Sequence, residues 1–354
     1  MSGASELPTL RWGIVGCGLI SSWFVSDLVL DRLSPPMIHK IVAVGSSSRS
    51  KGEAFIAQHA PSATPAIYDS YEGVYKDPNV DIVYIGTPHS LHVKNAMGAI
   101  NAGKHVLCEK PFTINAKETE LILDAAKKKG VFLMEAVWTR FFPIASALQK
   151  LVHIDEVIGD VSRVFVDFSL DMPIASLPEN ARTRDISLGA GALLDIGMYA
   201  VTWASIILDQ HPENNTEKVD VSSTMTINEG VDEVTTILLN YRALRAQAIL
   251  TASMLSKGPE EFCRIEGSKG SIYIGGAAAS KPAFLVIKIK DQAEKRIDFD
   301  VPGWGFHYEA DAVANDIKEG NVENATMPWA ESLRVMRLMD KVRGANGLMY
   351  PQDS

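Results

Sequence analysis

Only three cysteines occur in 354 residues, Cys17, Cys108 and Cys263. Their number is odd and their spacing matches no metal-ligand pattern, so neither a disulfide framework nor a cysteine zinc site is expected, and a reducing, cytoplasmic setting is. Basic blocks are absent and the net charge is −9. Nucleic acid and anionic membrane are therefore not expected as partners. No continuous apolar stretch reaches the ~20 residues that a bilayer-spanning helix needs. The first ten residues, "MSGASELPTL", lack a basic-then-apolar leader pattern, and "MYPQDS" lacks a prenylation or retention signal. Internal repeats, low-complexity segments and long linkers are missing as well.

What remains has the composition of a globular protein, 46% apolar and 22% charged. The length exceeds one ordinary hydrophobic core and predicts two domains. The first part alternates short, β-branched runs ("LRWGIVG", "KIVAVGS", "VDIVYIGTP", "HVLCEK", "VFLMEAV") with amphipathic stretches. Of these stretches, "NAKETELILDAAKKKG" has a cap candidate in Asn115, three lysines at its end and a stop at Gly130. Strand–helix alternation predicts a parallel sheet covered on both faces. After about Phe142 the pattern becomes apolar–polar alternation in successive segments, from "DVSRVFVDFSLD" to "KRIDFDV". That predicts a large, mostly antiparallel open sheet with one covered face, interrupted by a helix near 190–209 and closed by helices near 307–319 and 329–344. The expected organisation is an α/β Rossmann domain over 1–140 and an α+β substrate-binding and dimerisation domain over 141–354.

In "WGIVGCGLIS", Gly16 and Gly18 directly follow the first strand, with Leu19 and Ile20 opening the helix and Ser21 in place of a third glycine. Glycines there permit a tight turn and close approach of a pyrophosphate to the helix N-terminus, so a dinucleotide is the expected cofactor. An NAD-preferring fold commonly ends its second strand in an acid for the ribose 2′-OH. This chain has "VGSSSRSKGE" instead, with no acid before Glu53. Ser46 and Ser47 are suited to donate to a 2′-phosphate and Arg49 or Lys51 to neutralise it, which predicts NADP. The strand end lies further from the fingerprint than about 20 residues, the excess falling in "DRLSPPMIHK", read as a loop insertion.

Three groups have chemical potential. Glu109 and Lys110 in "LCEKPFT" end a strand where an open parallel sheet places its ligand crevice; from spacing alone an ordinary surface lysine is an equal reading. His89 and His92, after Thr87 and Pro88 in "TPHSLH", can share one helix face; lining a cofactor or substrate is favoured over a metal, for which no further ligands stand at suitable spacing. Asp195 and Tyr199 in "LLDIGMY" are i and i+4 on a helix. Burying an aspartate in such an apolar run is costly unless it is paired or used. Taken alone the pair reads as one solvated acid and one core ring, although the glycine-rich "SLGAGAL" before it suits close approach to a ligand.

Together "GCGLIS", "PNVDIVYIGTPHSLH", "AGKHVLCEKPFT", "MEAVWTRFFP", "GAGALLDIGMY" and "IEGSKGSIYI" resemble the Gfo/Idh/MocA oxidoreductase family, almost throughout the chain. The chain looks most like the branch of the dimeric dihydrodiol dehydrogenases and fungal NADP-dependent D-xylose dehydrogenases. The resemblance implies that Lys110 is the catalytic lysine and that Asp195 positions substrate and lysine. It puts Tyr199 where the sugar and inositol dehydrogenases more often have histidine. It matches His89 and His92 to the branch's H-x-x-H, and it places Trp138 and Arg140 at the substrate pocket. The expected cofactor-binding residues include Thr87, Pro88, His89, His92, Glu109 and Lys110 beside the two glycines.

The expected activity is NADP-dependent oxidation of a sugar or vicinal diol, D-xylose to its lactone first, a trans-dihydrodiol second, or the reverse reduction of a dicarbonyl such as a deoxyosone. Tyr199 is expected to be the general acid/base, with Lys110 as its electrostatic activator or itself the proton-transfer group. A non-catalytic NADP-binding regulator is the reading from another class. The open sheet face predicts a homodimer or higher oligomer, as the family commonly forms.

Overall fold

The computed structural model describes residues 7–33, 35–212, 214 and 219–354. The first six residues, on which part of the leader reading rests, and Ser34 of "DRLSPPMIHK" lie outside them; that stretch is not all loop as read, since Ile38, His39 and Lys40 open a strand. The described chain divides into two compact units, 1–138 with 302–333, and 139–301 with 334–354.

The first unit is a six-stranded sheet in the order β3-β2-β1-β4-β5-β6. Its strands are β1 (Thr9–Val15), β2 (Ile38–Gly45), β3 (Ala66–Tyr68), β4 (Ile82–Ile85), β5 (His105–Glu109) and β6 (Leu133–Ala136). Every pairing is parallel. Because helices cover both faces, β4 and β6 are buried at every position, which is why β4 reads as an unbroken apolar run and β6 is interrupted only by the buried Glu135. The strand order reverses between β1 and β4, and in such sheets the ligand crevice opens at the carboxyl ends of those two strands. The capped helix read from "NAKETELILDAAKKKG" is α5 (Ala116–Lys129): the Asn115 side chain accepts from the Glu118 N–H at 2.9 Å, and Gly130 closes it at φ +69°.

The expected boundary put everything after 140 into the second domain. Residues 302–333 instead fold back onto the first unit. The cause is a buried acid. Asp27, 1% exposed, lies in α1 (Leu19–Leu28) and accepts the backbone N–H groups of Trp304, Gly305 and Phe306 at 2.7–3.1 Å. It thus caps α8 (Phe306–Glu319) from outside that helix. Gly303 must be glycine here, since its φ is +65° and a Cβ would lie 2.3 Å from Asp27 Oδ1. Arg32 grips Asp311 through two bonds of 2.6 and 3.0 Å, and the Trp329 indole donates to the Leu133 carbonyl at 2.8 Å.

The second unit is an eight-stranded sheet in the order β14 (Lys295–Asp298), β13 (Lys281–Ile289), β12 (Gly270–Ala278), β11 (Cys263–Gly267), β7 (Val161–Ser169), β10 (Ala246–Ser253), β9 (Val231–Tyr241), β8 (Val219–Asn228). The pair β7 and β10 is parallel, and the other pairings are antiparallel. The alternation expected from sequence is visible in burial: Val164, Val166 and Phe168 of β7, with Ala248, Leu250 and Ala252 of β10, point to the covered face. That face packs against a helical run over 193–209, with α-helical turns (Met198–Ala204) between π-helical ones (Leu193–Gly197 and Ser205–Asp209). The segment Ile186–Asp209 is long and apolar enough to cross a membrane by composition, yet its apolar window is wholly buried inside the unit. It is a core helix.

Candidate active site

The first unit holds a cradle shaped for a dinucleotide. Gly16 turns at φ +93°, and a Cβ there would lie 2.9 Å from the Gly86 carbonyl oxygen. Gly18 starts α1 in extended conformation with no side-chain cap and no acid in the first turn, so the first N–H groups and the positive helix end are left for an anion. A Cβ on Gly18 would meet nothing nearer than 3.9 Å, so the approach is open. Ser21, at the third fingerprint position, is fully buried against Gly86, where any Cβ would lie 2.1 Å from its Oγ; the small residue serves close helix–strand packing. Leu19 is 69% exposed at the mouth, with Ile20 beside it. Cys17, between the glycines, keeps its proton, because burial raises its pKa.

At the end of β2, Ser46 is buried and its Oγ has no hydrogen-bond partner. Ser47 is exposed, Ser48 caps α2 (Arg49–His59), and Arg49 pairs with Glu53 at 2.9 Å on the surface. A buried hydroxyl, a helix N-terminus and an exposed guanidinium therefore stand at the strand end where an adenosine ribose is held in this fold.

Across the crevice, Thr87 and Pro88 follow β4, and His89 opens a short 3₁₀ turn (His89–Leu91). His92 is fully buried, one ring nitrogen 2.9 Å from the Thr87 carbonyl and the other 2.9 Å from the Pro111 carbonyl. Burial holds its pKa below the ordinary imidazole value. The sequence reading had His92 touch cofactor; the structure sets the ring between the segment after β4 and the one after Lys110, where its one N–H donates to one of these two carbonyls. His89 packs edge-on to it at 5.8 Å. Glu109 is 3% exposed and accepts from the Tyr84 hydroxyl at 2.8 Å and from the Lys110 N–H at 3.2 Å. Lys110 is half-buried at the strand exit, joined to Pro111 by a cis peptide bond. Trp138 is buried and stacks on Phe306 at 4.2 Å.

In the second unit, Asp195 is 5% exposed and Tyr199 4%. Asp195 is not the solvated acid of the bland reading: Arg182 reaches it with two bonds, 3.0 Å to Oδ1 and 3.4 Å to Oδ2. A bidentate guanidinium fixes a carboxylate in orientation as well as charge. Tyr199 packs edge-on to Phe168 at 5.6 Å. The run that carries both is anchored at its start by Asp232, whose Oδ2 accepts from the Leu193 N–H at 2.7 Å and the Thr235 hydroxyl at 2.6 Å. Gly191, at φ +119°, is needed there because a Cβ would lie 2.2 Å from Asp232 Oδ1. The Tyr350 hydroxyl holds the adjacent Ala190 carbonyl. Arg140, expected at the substrate pocket, is buried and donates to Ser205 at 2.9 Å, toward the far end of the helical run from Asp195. Arg182, Phe168 and Asp232 were missed in the sequence. Only the charge need of a buried Asp195 pointed to an arginine, and nothing in "ARTRD" says which one.

Residues 10–137 match the NAD-binding Rossmann domain of the Gfo/Idh/MocA oxidoreductases, and 147–273 match the C-terminal domain of the same family. The chain belongs to the Gfo/Idh/MocA family. It is an oxidoreductase with an NAD(P)-binding Rossmann domain. It is 35% identical to a D-xylose 1-dehydrogenase (NADP(+)) of Hypocrea jecorina, over 97% of this chain and 94% of that one. It is equally 35% identical to a trans-1,2-dihydrobenzene-1,2-diol dehydrogenase of Sus scrofa, over 97% and 99%. Among solved structures, an aldose-aldose oxidoreductase of Caulobacter crescentus shares the fold at TM-score 0.80 and 23% identity, over 95% of this chain and 97% of that one. A 3-ketoreductase of Actinomadura kijaniata in complex with NADP shares it at 0.79 and 23%, over 96% and 98%.

Proposed function

We propose that the protein oxidises a secondary or anomeric alcohol of a sugar or vicinal diol with NADP, D-xylose to D-xylono-1,5-lactone being the first candidate. The observation that carries this reading is the pairing, in one buried helical run, of an arginine-fixed Asp195 with Tyr199. A carboxylate of fixed orientation suits hydroxyl recognition, and a phenol one helical turn on suits proton transfer. The Hypocrea relative, named as an NADP-dependent D-xylose 1-dehydrogenase, supports the sugar. A trans-dihydrodiol is the second reading, favoured by the names of several relatives at 33–35% identity. The reverse reduction of a dicarbonyl compound is the same chemistry run backward.

Bound nicotinamide supplies the hydride acceptor. The chain must remove the hydroxyl proton. An ordinary phenol has a pKa near 10, too high for efficient base catalysis at neutral pH. A neighbouring ammonium favours the phenolate, and that is the role proposed for Lys110 toward Tyr199, along with a hydrogen bond to the substrate oxygen. Asp195 orients the substrate hydroxyl and balances charge.

NADP preference is part of the proposal and rests on Ser46, Ser47 and Arg49. Arg49→Ala is expected to raise the KM for NADP roughly tenfold, the worth of one charge-assisted contact, while leaving the KM for NAD little changed. Initial rates with D-xylose and with a trans-dihydrodiol, each with NADP and NAD, test substrate and cofactor together. NAD preferred over NADP with both substrates sinks the cofactor assignment, and faster turnover of the diol exchanges first and second substrate. The three free thiols fit the proposed cytoplasmic setting.

A homodimer also belongs to the proposal. The uncovered sheet face presents Phe165, Ile249 and Leu238, with the Arg264 guanidinium 4.3 Å above the Phe165 ring. Such a face is commonly buried against a second layer, and a second copy is the occupant proposed. Light scattering should give at least twice the chain mass; a monomer at micromolar concentration contradicts it.

A further inference from the structure

Thr87, two residues past β4, has its methyl 3.2 Å from where a Cβ on Gly16 would lie, so its side chain borders the glycine turn of the cradle. The first turn of α4 (His92–Asn101) meets it at two points. The His92 ring lies 2.9 Å from its carbonyl oxygen, and Asn95 Nδ2 donates to its hydroxyl oxygen at 3.1 Å. Asn95 is held in turn: its Oδ1 accepts from the Tyr75 hydroxyl at 3.0 Å. Tyr75 lies on α3 (Tyr71–Lys76), its ring against Gly98 of α4, where a Cβ would come within 2.5 Å of Cε2. Thr87, Asn95 and Tyr75 are all buried, and no step of the chemistry above uses the chain they form.

We propose that Asn95 and Tyr75 are positioning residues that make the Thr87 hydroxyl a donor toward an oxygen of the bound dinucleotide. This rests on the reading of the cradle as the cofactor site. A hydroxyl has one hydrogen to donate, and a carboxamide has a donor end and an acceptor end. Two arrangements satisfy this chain, and they differ in which hydroxyl keeps a spare O–H. With the Asn95 amide as it stands, Tyr75 donates to Asn95, Asn95 donates to Thr87, and Thr87 keeps its hydrogen for another acceptor. With the amide reversed, Thr87 donates to Asn95, Asn95 donates to Tyr75, and the spare O–H is that of Tyr75. Among the described residues, neither hydroxyl has a partner besides Asn95. Tyr75 lies in an apolar cluster with Val80, Ala96 and Ala99, where an unspent donor loses its hydration with no return. Thr87 borders the crevice, where the phosphate and ribose oxygens of a dinucleotide supply acceptors. Only the first arrangement spends both hydroxyls. Burial also holds the Tyr75 phenol well above its usual pKa, so it remains a donor at working pH.

Fluorescence titrations of the full chain with NADPH and with NADH test this, with a thermal melt of each variant. Thr87→Val keeps the shape and removes the O–H; it should weaken binding of both nucleotides roughly tenfold, the worth of one hydrogen bond to a charged acceptor. Thr87→Ser restores the O–H and should recover most of that loss. Tyr75→Phe keeps the ring against Gly98 and frees the Asn95 amide to reverse, so it should weaken binding about three- to tenfold from beyond Asn95. In a Thr87→Val background the same Tyr75→Phe change should alter binding by less than about twofold, because the hydroxyl it acts through is gone. A Thr87→Val or Tyr75→Phe variant that binds like wild type overturns the proposal. So does a Tyr75→Phe loss of equal size in both backgrounds, which is what a merely structural role gives. Wild type that binds neither nucleotide would overturn the cofactor reading itself before any variant is compared. Tighter binding of NADH than of NADPH would overturn the 2′-phosphate assignment alone, with the variant ratios unchanged and the proposal standing.

Discussion

Tyr199→Phe lowers kcat by about 10²–10⁴-fold, the usual range for loss of a positioned general acid/base, with NADP binding unchanged. The substitution removes one oxygen from a ring that is 4% exposed and packed edge-on against Phe168. The phenylalanine therefore fits the same space, and the fold should not suffer. Stopped-flow rates of reduced-cofactor formation, with a thermal melt of the same sample, check both statements. A kcat within a few-fold of wild type would mean that the tyrosine is not the base, and the proton would then pass to Lys110.

Lys110→Met is expected to cost about 10²–10³-fold in kcat, the scale of one preorganised charge withdrawn from a developing oxyanion. The two variants separate by pH. In the proposed role of Lys110, its ammonium favours the ionised form of the Tyr199 phenol. Without it, the tyrosine returns toward its ordinary pKa near 10, and the residual rate of Lys110→Met should climb with pH well beyond the wild-type plateau. Tyr199→Phe has no phenol to ionise and should lack that alkaline rise. Rate profiles from pH 6 to about 10.5 decide between them. If Lys110→Met shows no rise, Lys110 itself transfers the proton.

Strand runs were legible in the sequence because burial leaves a plain mark. Strands such as β4, buried on both faces, are almost wholly apolar, and a sheet covered on one face imposes alternation. The strand β3 was not legible: it is three residues long and nowhere fully buried. The return of 302–333 to the first unit was hidden for a different reason. It depends on Asp27 meeting three backbone N–H groups far along the chain, and backbone donors carry no residue identity. The candidate site divided the same way. Glycines at Gly16 and Gly18, and the acid in "LLDIGMY", are visible because they break local rules. Arg182 was invisible because it is one of two arginines, with Arg184, in an irregular stretch, selected only by three-dimensional reach. His92 read as a ligand-lining group since an imidazole seldom announces that its ring is buried between two backbone carbonyls.

The account's central claim is hydride transfer from an alcohol carbon to NADP. D-Xylose deuterated at its anomeric carbon, incubated with the protein and NADP, tests it in one mass spectrum of the cofactor. Reduced cofactor carrying one deuterium is the expected result. Tight NADP binding with no reduced cofactor, from this sugar or from any other sugar or diol, would contradict it and leave a nucleotide-binding regulator in its place.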